Sequence, residues 1–258
     1  MVLRDELTSF IETTLGSDLL SKARKLDPNA NGVQFHGAEH VEKIAFGVSL
    51  NSDFLREAVR VGAQYCVFHH GFDPRTVGSR YSAGSQERLS LIIKNDLTIS
   101  GYHYALDAHP TIGNSATIAR LLGAKITDTL YEEWGFVAKL PEPVSVDTLS
   151  KRCAEIFSHD ILAIKTDDST VQTLGIVSGA GKPYQANIEE MKDKGVELYI
   201  SGETSESRLH AMQEEGINYF LCGHYATETF GVQELGKRIK AHFKNKIEVE
   251  FIDIPNPL

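Results

Sequence analysis

Cysteine is scarce in this chain. It has 3 cysteines, Cys66, Cys153 and Cys222, and none stands in a CxxC pair. An odd, scattered set excludes a disulfide scaffold, argues against a closed thiolate zinc site and favours a cytoplasmic compartment. Basic charge is not in excess either. The 26 Lys and Arg stand against 35 Asp and Glu, a formal net charge of −9, so nucleic acid is disfavoured as a partner. No apolar run approaches the roughly 18–20 residues of a membrane span. Met1-Val2-Leu3-Arg4-Asp5-Glu6 puts charges where a signal peptide needs an apolar stretch. Low-complexity tracts and long flexible linkers are also missing. Hydrophobic residues make up 41% and charged ones 24%, which is an ordinary globular composition.

What is present reads as alternating helices and strands. Leu3, Leu7, Phe10, Ile11, Leu15 and Leu19 recur at helical spacing and predict one opening amphipathic helix. Asp27-Pro28-Asn29-Ala30-Asn31-Gly32 breaks it. The run from Lys43 to Leu50 reads as a strand, Asn51-Ser52-Asp53 offers caps for a helix ending near Gly62, and Tyr65-Cys66-Val67-Phe68 reads as a buried strand. The pattern continues to the C-terminus and predicts an α/β protein with a largely parallel or mixed sheet. Strands are expected at Trp134-Gly135-Phe136-Val137-Ala138 and Ile161-Leu162-Ala163-Ile164, around a helix near 145–157. Pro141 and Pro143 punctuate that stretch and suggest the joint between two halves.

The halves resemble each other. The helix–strand unit that runs through Gly62 into His69-His70-Gly71 aligns with the one that runs through Gly195 into Ser201-Gly202-Glu203-Thr204. Farther on, Gly101-Tyr102-His103-Tyr104-Ala105-Leu106-Asp107 matches Cys222-Gly223-His224-Tyr225-Ala226-Thr227-Glu228 at both the His and the acid. Chance likeness of two generic units is the plain alternative to duplication. In open α/β sheets, ligands bind at the carboxyl ends of strands, and all these polar residues sit at such ends.

Ten histidines are present, and their placement carries the chemistry. A turn at the end of a strand could aim His69 and His70 into one cavity. A spacing of four in His103-x-x-x-Asp107 and His224-x-x-x-Glu228 puts each pair on one helix face. Singly, these are also what surface turns and helix ion pairs look like. Together, imidazoles mixed with carboxylates point to an open metal site rather than a structural one. Two metals sharing a carboxylate would acidify a water between them for attack on an electrophile. Ser178-Gly179-Ala180-Gly181-Lys182-Pro183 departs from a phosphate loop, because Pro183 follows the lysine, and reads as a tight turn or an anion-binding nest. Glu203 is the candidate for proton transfer, unless it merely belongs to the start of the next helix. His36, His40, His159, His210 and His242 stand alone.

The runs Asn31-Gly32-Val33-Gln34, His69-His70-Gly71, His103-x-x-Leu106-Asp107-Ala108-His109, Ser201-Gly202-Glu203, Gly223-His224-x-Ala226-Thr227-Glu228 and Ile252-Asp253-Ile254-Pro255-Asn256-Pro257, in this order, resemble the NIF-three-like (YbgI-type) family. The resemblance spans nearly the whole chain. It implies an α/β fold of two intertwined repeats of an α-β-α type unit with mixed sheets, over 1–130 and 131–258, with no inserted middle domain. It also implies a toroidal homohexamer and two divalent metal ions per chain, zinc or iron, with manganese or nickel as alternatives. The implied ligands are His69, His70, Asp107, His224 and Glu228. Glu228 would bridge, with His70 and Asp107 on one metal and His69 and His224 on the other. His103 and His109 would then orient Asp107 from outside the ligand set, whereas the repeat symmetry alone suggests six ligands.

The functional expectation is a metal-dependent hydrolase of the GTP cyclohydrolase type-2-like kind. It would act on a nucleotide or phosphate ester with metal-bound hydroxide as nucleophile. The alternative is a non-enzymatic protein that handles metal or regulates through interaction, also built as a ring-shaped hexamer.

Overall fold

Gly16 divides the opening of the chain. Its φ of +88° lies in the left-handed region that glycine tolerates. The single helix expected from periodicity is therefore two, Arg4–Leu15 and Ser17–Leu26. Elsewhere the cap expected at Asn51 is observed, and Ser145 supplies another. The Asn51 side chain accepts from the Phe54 amide at 2.8 Å and starts the helix Ser52–Arg60. Ser145 accepts from the Thr148 amide at 3.2 Å and starts Val146–Phe157. The computed structural model describes residues 1–74, 80–166 and 170–257.

The chain forms two compact units. The first joins Met1–His109 to Gly231–Ile254, and the second joins Pro110–Phe230 to residues 255–257. A division at Pro141 and Pro143 is not observed. The strand Gly135–Ser145 runs through both prolines, and its pairing with Thr170–Val177 shifts register between Val171 and Thr173. Proline has no N–H to give a ladder, so it is accommodated at such an irregularity. Gly231–Ile254 belongs to the first unit because its strand Glu248–Phe251 pairs in parallel with Lys43–Ser49.

Among the described residues the first unit has a five-stranded mixed sheet. From edge to edge run Glu248–Phe251, Lys43–Ser49, Tyr65–His70, Thr98–Tyr102 and Asn31–Phe35, the first four parallel and the last antiparallel. The helices Ser52–Arg60 and Ala83–Lys94 link its central strands. They bury Phe54, Leu55, Ala58 and Ile92 against Ala45, Cys66, Phe68 and Ile99. Phe54 lies so close over Gly47 that a Cβ there would meet its ring at 2.4 Å.

Among the described residues the second unit has a six-stranded sheet, ordered Lys125–Leu130, Gly135–Ser145, Thr170–Val177, Leu198–Ser201, Asn218–Leu221 and Leu162–Ile164. Its middle three strands are parallel. Alternation sorts its two cores. Leu198, Ile200 and Phe220 pack with Leu149, Cys153 and Phe157, while Tyr199 and Tyr219 pack with Ile188, Met191 and Met212. Each sheet thus contains three parallel strands joined by helices, followed by an antiparallel neighbour. No helix among the described residues is long and apolar enough to cross a membrane.

All three cysteines are buried. Burial pushes the Cys66 thiol up to about 12, and burial with Cys153 alongside raises Cys222. Since thiolate is the reactive form, native protein at pH 8 is expected to show no rapid reaction with Ellman's reagent, and three reactive thiols in guanidinium. A thiol titrating promptly in the native state would contradict this packing.

Candidate metal centre

In the first unit, two strand ends converge. The strand Tyr65–His70 ends on His69 and His70, and the strand Thr98–Tyr102 runs into the short helix His103–Asp107. The rings of His69 and His70 lie 4.6 Å apart, those of His69 and His103 4.8 Å, and those of His70 and His103 5.1 Å. One nitrogen from each of the three lies within 4.8 Å of the others. His69 is fully buried, Asp107 nearly so, and their Nε2 and Oδ2 are 3.5 Å apart. Three imidazoles this close repel one another as cations but can share one metal ion as neutral ligands, so the donor set fits a divalent metal.

Oxygen acceptors behind two of the rings set their orientation. His70 stands opposite Ser49 across the parallel pair, with Nδ1 and Ser49 Oγ 3.0 Å apart. His103 Nδ1 lies 2.6 Å from Asp27 Oδ2. With Nδ1–H donating to these oxygens, Nε2 keeps its lone pair for a ligand, and the Asp27 carboxylate makes His103 a stronger donor. His109 Nε2 donates to the Thr14 carbonyl at 3.2 Å.

The Asn31-to-Gln34 run has a mechanical role. Asn31 donates to the Asp27 carbonyl at 3.1 Å and accepts from the Ala105 amide at 3.3 Å, tying the Asp27 turn to the His103 helix. Gln34 donates to Asn29 O and Phe72 O and accepts from Phe72 N, at 2.7–2.8 Å. A Cβ on Gly71 would collide with Gln34 Oε1, so a larger residue after His70 would push this clamp aside.

In the second unit, the strand Asn218–Leu221 leads into the helix His224–Phe243. One helical turn brings His224 Nε2 to 3.2 Å from Glu228 Oε2, and Glu228 is buried. The other ring nitrogen of His224 meets Glu203 Oε1 at 2.5 Å, while Glu203 Oε2 pairs with Lys182 Nζ at 2.6 Å. Lys182 pulls the Glu203 carboxyl below its ordinary range, against burial and with help from His224. Burial disfavours charge on His224, but Glu228 and Glu203 outweigh it and push the imidazole up to about 9. The turn around Gly179-Ala180-Gly181 is a packing device. Gly179 has φ +59°, its amide donates to Thr227 Oγ1 at 2.9 Å, and a Cβ there would meet Glu228 Oε1 at 1.9 Å. On Gly202, a Cβ would lie 2.7 Å from His224 Cα.

The family resemblance put His103 outside the ligand set, and its ring stands within the imidazole cluster. The repeat symmetry was the signal for it. Asp27, Ser49 and Lys182 were missed, because nothing in the sequence relates a helix-breaking turn, a strand end or a glycine turn to a distant histidine.

Residues 3–257 match the Duf34/NIF3 (NGG1p interacting factor 3) family. The chain belongs to this family. Two bacterial proteins named GTP cyclohydrolase 1 type 2 homolog are 32% identical to it, over 258 residues in Pasteurella multocida (strain Pm70) and 254 in Escherichia coli (strain K12), with 98% of both chains covered. A solved structure of protein ybgI, described as of unknown function, matches with a TM-score of 0.88 and 31% identity over the whole of both chains. The mixed α/β architecture of this Duf34/NIF3 chain is the one expected from its sequence.

Gly179→Ala tests how tightly the second cluster is packed. The left-handed backbone and the collision with Glu228 predict a loss of about 1–3 kcal/mol, seen as a drop of several degrees in Tm. An unchanged Tm would mean that the Glu228 carboxylate is free to move aside.

Proposed function

We propose that this Duf34/NIF3 protein is a dinuclear metal-dependent hydrolase acting on a nucleotide or phosphate ester. The proposed ligands are His69, His70, Asp107, His224 and Glu228, with Glu228 as the bridge. The observation that carries the reading is the gathering of the His69, His70 and His103 imidazoles at strand ends, with Asp107 beside them. The bacterial relatives named as GTP cyclohydrolase 1 type 2 homologs support the substrate class.

Two divalent ions, zinc or iron, with manganese or nickel as alternatives, would supply Lewis acidity to polarise a phosphoryl or purine-ring electrophile and to acidify water. The chain's own part is to hold the donors ready. Asp27 and Ser49 set the rings of His103 and His70. Glu203, the acid–base candidate, holds the Nδ1 proton of His224 and is itself held by Lys182. We further propose two repeats descended from one unit, a cytoplasmic location and a toroidal homohexamer, the last expected as about six chain masses in light scattering.

One observation favours a second reading. With His103 as an added donor, the first cluster would offer three imidazoles and a carboxylate. That is enough to fill a tetrahedral site and leave no open position for water. Such a protein would handle metal or use it to regulate an interaction, without catalysis.

Elemental analysis separates the outcomes. Protein purified without chelator or affinity metal is expected to hold about two metals per chain, with fewer in His70→Ala and Glu228→Ala. Turnover of phosphate esters or nucleotides should stop on chelation. Metal without turnover would favour the second reading. No metal, even after reconstitution with zinc, iron or manganese, would overturn both.

A further inference from the structure

A cavity of about 360 Å³ opens beside the imidazole cluster, entirely within the first unit. His70, His103, Ser49, Gln34, Asp27 and Arg88 are among its lining residues. Its size suits a small-molecule site, and His70 and His103 are shared between its wall and the imidazole cluster.

Arg88 is the odd member of this wall. It projects from the helix Ala83–Lys94, whose first turn is capped by Ser82. Its guanidinium makes one long contact, from Nη2 to Ser85 Oγ at 3.4 Å. Its Nε is buried and has no hydrogen-bond partner. Four other arginines of the same unit behave differently, although among the described residues Arg80 and Arg238 also lack an ion pair. Arg4, Arg24, Arg56 and Arg60 each hold a carboxylate within 2.9 Å. The acids on the cavity wall do not serve Arg88. Asp27 and Asp73 both line the cavity, Asp27 is engaged by His103 at 2.6 Å, and among the described residues no carboxylate forms an ion pair with Arg88. A partly desolvated guanidinium without a carboxylate partner is costly to hold unless an anion completes it.

We infer that Arg88 is the anion-recognition residue of this cavity and binds the phosphoryl group of the substrate beside the metal-binding histidines. Guanidinium can present its two Nη groups as a planar fork that matches two oxygens of a phosphoryl group. Gln34 supports the site indirectly, since its clamp on Phe72 fixes the loop that follows His70. Phosphate, rather than any other oxyanion, rests on the hydrolase reading; the cationic subsite itself does not.

The test is calorimetric titration of the full chain with inorganic phosphate, metal-loaded and chelator-stripped, with acetate for comparison. Both forms of the wild type are expected to bind phosphate, and acetate more weakly. Arg88→Gln should weaken phosphate binding at least about tenfold in both forms, the equivalent of one charge-assisted hydrogen bond, with metal content unchanged. If Arg88→Gln does not fold by near-ultraviolet circular dichroism, Arg88→Lys takes its place. It keeps the charge without the fork and should lose about threefold or more. A folded variant that binds phosphate as tightly as the wild type overturns the assignment and leaves the metal centre standing. No phosphate binding in either wild-type form overturns it as well. Acetate bound as tightly as phosphate overturns the phosphoryl preference. Wild type that takes up no metal but still binds phosphate through Arg88 overturns the hydrolase reading and leaves the anion site in place.

Discussion

Parallel pairing of three strands decides where the chemistry-bearing side chains of this chain end up. Parallel strands finish on the same edge of a sheet, so the residues that follow them share one rim. In the first unit that rim receives His69 and His70 from one strand and His103 from the next. In the second it receives Gly202-Glu203 from one strand and His224 from the next. The helix that starts at each rim then supplies a carboxylate four residues on, Asp107 in one unit and Glu228 in the other.

The same electrostatic device recurs at both rims. A carboxylate stands behind an imidazole, Asp27 behind His103 at 2.6 Å and Glu203 behind His224 at 2.5 Å. Each fixes a ring and raises the donor strength of its far nitrogen. The glycines of the site serve this arrangement by letting backbone approach side chain. Gly71 sits against Gln34, Gly179 against Glu228 and Gly202 against His224. Arg88 stands apart from this pairing of opposite charges, as a cation in a cavity wall without its own carboxylate.

Much of the fold was legible because strand alternation and helix caps are local. Tyr65 to Phe68 reads as a buried strand and is one, and Asn51 caps the helix it precedes. The errors came from effects that local pattern does not carry. Gly16 breaks a helix whose apolar spacing continues through it. Pro141 and Pro143 look like a boundary but are absorbed where the register shifts. Gly231–Ile254 lies far along the chain from the sheet it completes.

From the sequence alone come the α/β class and the residue types able to hold a metal. The His69-His70 pair and the two His-x-x-x-acid motifs also follow from it, since a spacing of four is set by helix geometry. The tertiary structure alone decided that Asp27 and Ser49 orient the rings of His103 and His70, and that Arg88 faces the same cavity. Those contacts join residues 21 to 76 positions apart. They depend on sheet order and loop closure, which no local pattern specifies.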